Sequence, residues 1–358
     1  MAENAEKVTY RGKGEQQTGK SADIRPVDQS PLTDPSKYQA SRELAAAVNV
    51  ALELGMPLLL TGEPGCGKSE LAASVAWELD FPIPPDEKRH APLSFSVKSD
   101  TDSRDLFYRF DTLGRFHAAQ SEMGDPDPRR FIAYQALGLA ILLAKGRDKV
   151  PHTLLQGGDW PTGETTPQRA VVLIDEIDKA PREVPNDILN EVQKLSFKVP
   201  ELARYHSEPI AIDKGDPRPF ILITSNGERP LPQAFLRRCV YFHVEPPPYR
   251  SEDRQTVTIE SIVTARLGDR FANKPHWLQD ALSLYQHIRE SPLIEKKPSV
   301  AELLSWLYFL SQQPVSGEAR LDEHPAFAVS VAVTLFKLKD DQNKAAELIG
   351  RWQENRAR

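Results

Sequence analysis

Along residues 57–247 short apolar runs alternate with stretches whose apolar positions recur every three or four residues. Pro57–Thr61, Val171–Ile174, Phe220–Thr224 and Val240–Val244 are such runs, and Leu93, Phe95 and Val97 form an alternating one. Runs of four or five residues between helical segments suit strands of a parallel sheet covered on both faces. Leu44, Val48, Ala51 and Leu52 mark a helix closed by Gly55, a second helical stretch runs from Lys68 to about Leu79, and Ile188, Leu189, Val192 and Leu195 share one face of another. The three prolines of Pro246-Pro-Pro-Tyr249 end the last strand and make a stiff hinge. Beyond them the pattern is helical only: Ile259, Ile262, Val263 and Leu267 form one stripe, and Trp277, Leu278, Ala281, Leu282, Tyr285 and Ile288 another. Ser299-Val-Ala-Glu302 has capping-box spacing and opens a helix through Leu303, Leu307 and Leu310, and two more helices follow to Trp352. Residues 1–38 are polar without periodicity and read as a flexible arm rather than an ordered strap. The expected organisation is this arm, an α/β domain over 39–247, and a smaller all-helical domain over 248–358.

Composition narrows the class. The chain has 358 residues, 40% of them hydrophobic, with 45 Lys and Arg against 51 Asp and Glu, a net charge of −6. That is enough apolar material for roughly two globular domains. Its longest apolar run, Ala136 to Ala144, is about half of what spanning a bilayer requires, so no membrane insertion is expected. Two cysteines and eight scattered histidines argue against a disulfide framework or a structural zinc site. With no secretory signal in the first residues, a cytoplasmic location is expected. The slightly acidic balance weighs against tight duplex binding, although a local basic groove would escape that argument.

Gly62-Glu63-Pro64-Gly65-Cys66-Gly67-Lys68-Ser69 fits G-x-x-x-x-G-K-[ST], with an apolar strand before it and a helical stretch after it, and Glu70 joins these residues as a nucleotide-binding candidate. Glycines in this spacing let backbone amides turn inward around phosphate oxygens, and the following helix adds the positive end of its dipole. Lys68 is expected on the β- and γ-phosphates of ATP and Ser69 on Mg2+. Val171-Val-Leu-Ile-Asp175-Glu176 would put Asp175 at the carboxyl edge of the sheet to hold Mg2+, with Glu176 polarising the attacking water. Asn226, after the strand Phe220–Thr224, either orients that water, touches the γ-phosphate, or simply forms a turn. Arg237 and Arg238 are a surface pair or else arginines offered to a neighbouring subunit's phosphates. Cys66 is read as a small residue at a variable position, with redox control the rarer alternative.

Taken together, these motifs and the helical segment after them resemble an AAA+ ATPase of the P-loop NTPase class. The fold so implied is a parallel sheet flanked by helices and followed by a smaller all-α lid. The closer resemblance is to the MoxR family, carried by Ala47-Val-Asn-Val-Ala-Leu, Pro57-Leu-Leu-Leu-Thr-Gly-Glu-Pro-Gly, Tyr108-Arg-Phe-Asp111, Ile174-Asp-Glu-Ile-Asp-Lys-Ala-Pro181, Ala234-Phe-Leu-Arg-Arg-Cys239 and Lys297-Pro-Ser-Val-Ala-Glu302. It implies ATP hydrolysis in a homo-oligomeric ring, usually a hexamer, with chaperone-like remodelling of a partner alongside a von Willebrand factor A-type protein. In that scheme Asn226 is sensor 1, Arg237 or Arg238 is the arginine finger, residues 99–150 hold an insert, and 197–219 form a hairpin. Residues 298–307 contain no arginine for sensor 2, and Lys296 or Lys297 would be the substitutes. A slow nucleotide-gated switch and a DNA-acting motor, some of whose relatives use GTP, are the competing functions.

Overall fold

A computed structural model describes residues 30–81, 91–121, 126–155, 165–314 and 319–357. Five parallel strands, β1 (Leu58–Gly62), β2 (Leu93–Ser96), β3 (Val171–Asp175), β4 (Phe220–Ser225) and β5 (Val240–Val244), form one sheet in the order β2-β3-β4-β1-β5. Successive side chains of a strand enter different layers. Val172 and Ile174 join Leu59, Phe95, Ile221 and Ile223 under the helix Ala136–Lys145. Val171 and Leu173 join Leu58, Leu60 and Leu222 under the helices Arg42–Leu54 and Glu70–Glu78. The continuous apolar runs are thus explained by burial on both faces. β2, at the edge, alternates buried and exposed positions.

The helix Arg42–Leu54 begins where the Ser41 hydroxyl accepts the Leu44 amide and ends where Gly55 turns left-handed at φ +61°. Ile188, Leu189, Val192 and Leu195 share one packed face on the short helix Leu189–Lys194, with Ile188 and Leu195 at its two ends; a separate helical turn, Val184–Asp187, precedes it, and Leu195 is left-handed at φ +49°. Residues 99–150 combine core and peripheral structure. Ala136–Lys145 is a core helix with nine of its ten residues buried, while Tyr108–Phe110 and Ile132–Tyr134 form an antiparallel pair around the exposed helix Thr112–Ser121. The expected hairpin is present as Ser196–Phe197 paired with Ile210–Ala211.

A third apolar cluster unites the helices Ile259–Leu267, Pro275–Glu290, Val300–Ser311, Phe327–Leu335 and Ala345–Ala357 around Trp277, Tyr285 and Trp306. Two of its large buried side chains have their polar atoms matched: Trp306 Nε1 donates to Ser330 Oγ at 3.0 Å and the Tyr285 hydroxyl to the Pro298 carbonyl at 3.0 Å. Buried Lys274 caps the end of Val300–Ser311 by donating to the carbonyls of Leu310, Ser311 and Gln313, and burial lowers its pKa. No helix among the described residues is long and apolar enough to cross a membrane.

The polar N-terminal stretch departs from the flexible arm expected through residue 38. Residues 1–29 lie outside the described ones, but from Ser30 the chain is ordered, with a helical turn at Ser30–Thr33 and another at Pro35–Lys37 capped by Asp34. Leu32 packs on the lid cluster and Tyr38 on the sheet cluster. Two well-placed apolar side chains hold this strap without any periodic pattern.

Candidate functional site

The carboxyl ends of β1, β3 and β4 meet because the strands pair in register, Leu60 with Thr224 and Ile174 with Ile223. The chain leaves β1 at Gly62, whose φ is +145° and where a Cβ would lie 2.4 Å from the Val244 carbonyl oxygen. Only glycine turns there. Gly65 and Gly67 have φ of +77° and +89°, and the loop Glu63–Lys68 runs into the helix Glu70–Glu78. Lys68, 6% exposed, donates to the carbonyls of Gly62 at 2.8 Å and Glu63 at 2.9 Å. Pro64 is exposed at the tip of the loop. Cys66 is half-buried, and burial raises its thiol pKa against the opposing charge of Lys68.

Ser69 Oγ donates to Asp175 Oδ1 at 2.7 Å, and the buried Thr224 hydroxyl donates to the same oxygen at 2.6 Å. Thr224 Oγ1 also accepts the Glu176 amide at 2.9 Å, so one hydroxyl fixes both acids. Glu176 is left-handed at φ +61°, a conformation unusual for a residue with a Cβ. Both its carboxylate oxygens are engaged: Asn226 Nδ2 donates to Oε1 at 3.2 Å and Lys179 Nζ to Oε2 at 2.5 Å. The hydrogen bond to Glu176 raises the pKa of Lys179. Beneath them Asp178, 2% exposed, accepts the backbone amides of Asn226 at 3.2 Å and Glu228 at 2.8 Å.

Lys68, Ser69, Asp175, Glu176 and Asn226 therefore converge. Other expected residues do not. Arg237 and Arg238 are exposed before β5, at the amino edge of the sheet, where they line a groove of about 520 Å3 with Arg169 and Arg218. The phosphate loop lies at the carboxyl edge, so neither arginine serves the site of its own chain. Lys297 Nζ donates to the Ser291 carbonyl, and the Lys296 backbone amide is bound by Asp341. Lys297 is thus spent inside the lid. The Glu70 side chain turns away from the loop and pairs with Arg266 of the lid.

Four contributors escaped the sequence reading. Thr224 and Asp178 lie within motif strings already noticed, and a polar residue inside an apolar strand is the signal for Thr224. Tyr38 packs 3.4 Å from the Cβ position of Gly67 and, with Gln39, Cys66, Val244, Pro247 and Ile262, lines a groove of about 500 Å3 beside the loop. Arg266 arrives from the lid, and nothing local in its sequence announces it.

The donors suit a divalent ion. Ser69 and Asp175 offer hard oxygens 2.7 Å apart, and Mg2+ takes one or two protein oxygens and completes its shell with phosphates and water. The described residues contain no cluster of three or more His, Cys, Asp or Glu that could hold a metal ion.

The family described as AAA domain (dynein-related subfamily) matches residues 57–239, just over half of the chain. No curated protein sequence matches it. Among solved structures, NtrX from Brucella abortus is similar at 14% identity and a TM-score of 0.41, over 91% of this chain and 64% of that one. NtrX in complex with ADP gives 16% identity, a TM-score of 0.41, and coverage of 90% and 63%. A candidate ATPase from Cytophaga hutchinsonii ATCC 33406 gives 12% identity, a TM-score of 0.34, and coverage of 89% and 84%. The chain thus spans a little under two thirds of the length of NtrX.

Proposed function

Because this chain belongs to the AAA domain family, dynein-related subfamily, and so to the nucleotide-hydrolysing ATPases, we propose that it hydrolyses ATP at the carboxyl edge of its sheet as a MoxR-type AAA+ protein. The observation that carries the reading is the convergence of Lys68, Ser69, Asp175, Glu176 and Asn226 through direct hydrogen bonds from Ser69 to Asp175 and from Asn226 to Glu176. The phosphates lie in the amide cradle of Gly62–Ser69, with Lys68 leaving its two carbonyl partners to meet them. The base occupies the groove beside Tyr38 and Ile262. Ser69 and Asp175 would hold Mg2+, which would supply neutralising positive charge to the phosphates. Glu176 takes the proton of the attacking water while Asn226 keeps its carboxylate aimed.

Arg237 and Arg238 face away from this site, which supports a head-to-tail homo-oligomer, a hexameric ring in the MoxR pattern, with one chain's arginine on the next chain's phosphates. Remodelling of a protein client, with a von Willebrand factor A-type partner, follows from that pattern. The grip of Lys179 on Glu176 favours a second reading, a slow nucleotide-gated switch.

Calorimetry with Mg2+ and ATP or GTP tests the core of this. Lys68→Ala is expected to abolish uptake, and Glu176→Gln to retain ATP while turnover falls by about 10²–10⁴. A wild-type chain that takes up no purine triphosphate refutes the reading. Fast turnover stimulated by a protein supports the remodeller, and very slow turnover with tight retention supports the switch.

A further inference from the structure

The lid grips the phosphate loop on two sides. At the middle of the loop, the Ala301 amide at the start of Val300–Ser311 donates to the Gly65 carbonyl at 3.2 Å, and a Cβ on Gly65 would lie 2.6 Å from Ser299 Oγ. At its end, Arg266 of the lid helix Ile259–Leu267 ion-pairs with Glu70, the residue after Ser69. The Arg266 side chain is 4% exposed and that of Glu70 40%. Arg266 also donates to the Leu32 carbonyl of the N-terminal strap, and its buried Nε has no partner. A guanidinium is a costly group to bury, and stability alone is served as well by an apolar side chain of similar size. Here it is spent on joining three elements, lid, strap and the first turn of the phosphate-loop helix.

We propose that Arg266 is a positioning residue for nucleotide binding: through Glu70 it fixes the lid to the phosphate-loop helix, so that loop and lid respond to a nucleotide as one unit. The proposal rests on the nucleotide reading of the loop. It also gives the lid a cationic tie to the site where Lys296 and Lys297 supply none, by a route that leaves the phosphates to Lys68. Coupling between two sites of a protein is typically worth about 5–150-fold in affinity.

The test uses the full chain with Arg266→Met, Glu70→Gln and the double variant. Glu70 is partly solvated and Gln keeps an acceptor for Arg266, so Glu70→Gln provides a folded reference should Arg266→Met unfold. ATP affinity is expected to fall about tenfold in each single variant, with the double variant no worse than the weaker single. Hydrogen exchange of peptides covering Gly62–Glu70 and Val300–Ser311 reads the coupling. In the wild type ATP is expected to protect both, in the variants the loop alone. Affinity within twofold of wild type together with lid protection retained in both variants overturns the clamp while leaving the nucleotide site intact. Failure of the wild type to bind ATP overturns the nucleotide reading and the clamp with it.

Discussion

Replacing Asp178 by alanine tests how the site is held in place. Its carboxylate, 2% exposed, accepts the amides of Asn226 at 3.2 Å and Glu228 at 2.8 Å. A hydrogen bond to a charged group is worth about 1.5–3 kcal/mol net, and a donor left buried costs a similar amount. Two such bonds give about 3–6 kcal/mol. Glu228 is exposed, so water recovers part of its share, and about 3 kcal/mol remains. For a domain of 150–250 residues that corresponds to a fall of about 6–12 °C in melting temperature. Calorimetric melting and urea unfolding measure it directly. Asp178→Asn, which keeps one acceptor oxygen, should lose about half as much. Turnover should fall in both variants, because the freed Asn226 no longer holds Glu176. An Asp178→Ala chain within about 0.5 kcal/mol of wild type, the range of neutral surface substitutions, would refute the claim that this buried carboxylate organises the loop.

Gly62→Ala places a Cβ against the Val244 carbonyl at a φ of +145°, and urea unfolding should show a loss of about 3 kcal/mol. Arg237→Ala and Arg238→Ala should leave the affinity for ATP unchanged while one of them lowers steady-state turnover of the assembled protein by about 10³; wild-type rates in both would remove the arginines from the chemistry. Asp216 gives a pH signature: burial pushes its pKa up, but the Lys149 hydrogen bond and the Asp213 amide outweigh that and hold it below 3.8. The unfolded chain therefore binds this proton first as pH falls, so the contribution of Asp216 is complete above pH 3.8 and is lost below it. Urea titrations at pH 3–6 should show a shallower acid loss in Asp216→Asn than in the wild type.

What the sequence made legible were features in which neighbours along the chain do the same job. β1, β3 and β4 are buried on both faces and so appear as unbroken apolar runs, and the phosphate loop is a single contiguous segment. Ser299 and Glu302 form their capping box as spaced. Features made by distant residues were hidden. Asp178 acts on amides about fifty positions away, Arg266 on Glu70, and Tyr38 on a loop glycine. The strap carries no sequence signal because Leu32 and Tyr38 each anchor it singly, which leaves no period to detect. The left-handed backbone at Leu195 is equally invisible to an apolar pattern, which carries no information on the sign of φ.

The left-handed backbone at Glu176 has an evolutionary corollary. Asn and Gly populate that region more readily than Glu, so exchanging the acid for either relaxes the turn. If Glu176 has the proposed role, such an exchange would give a chain that captures nucleotide without cleaving it, and only the bonds from Asn226 and Lys179 would stand against that drift. On the proposed role of Glu176, keeping an acid here sets local conformational preference against chemistry.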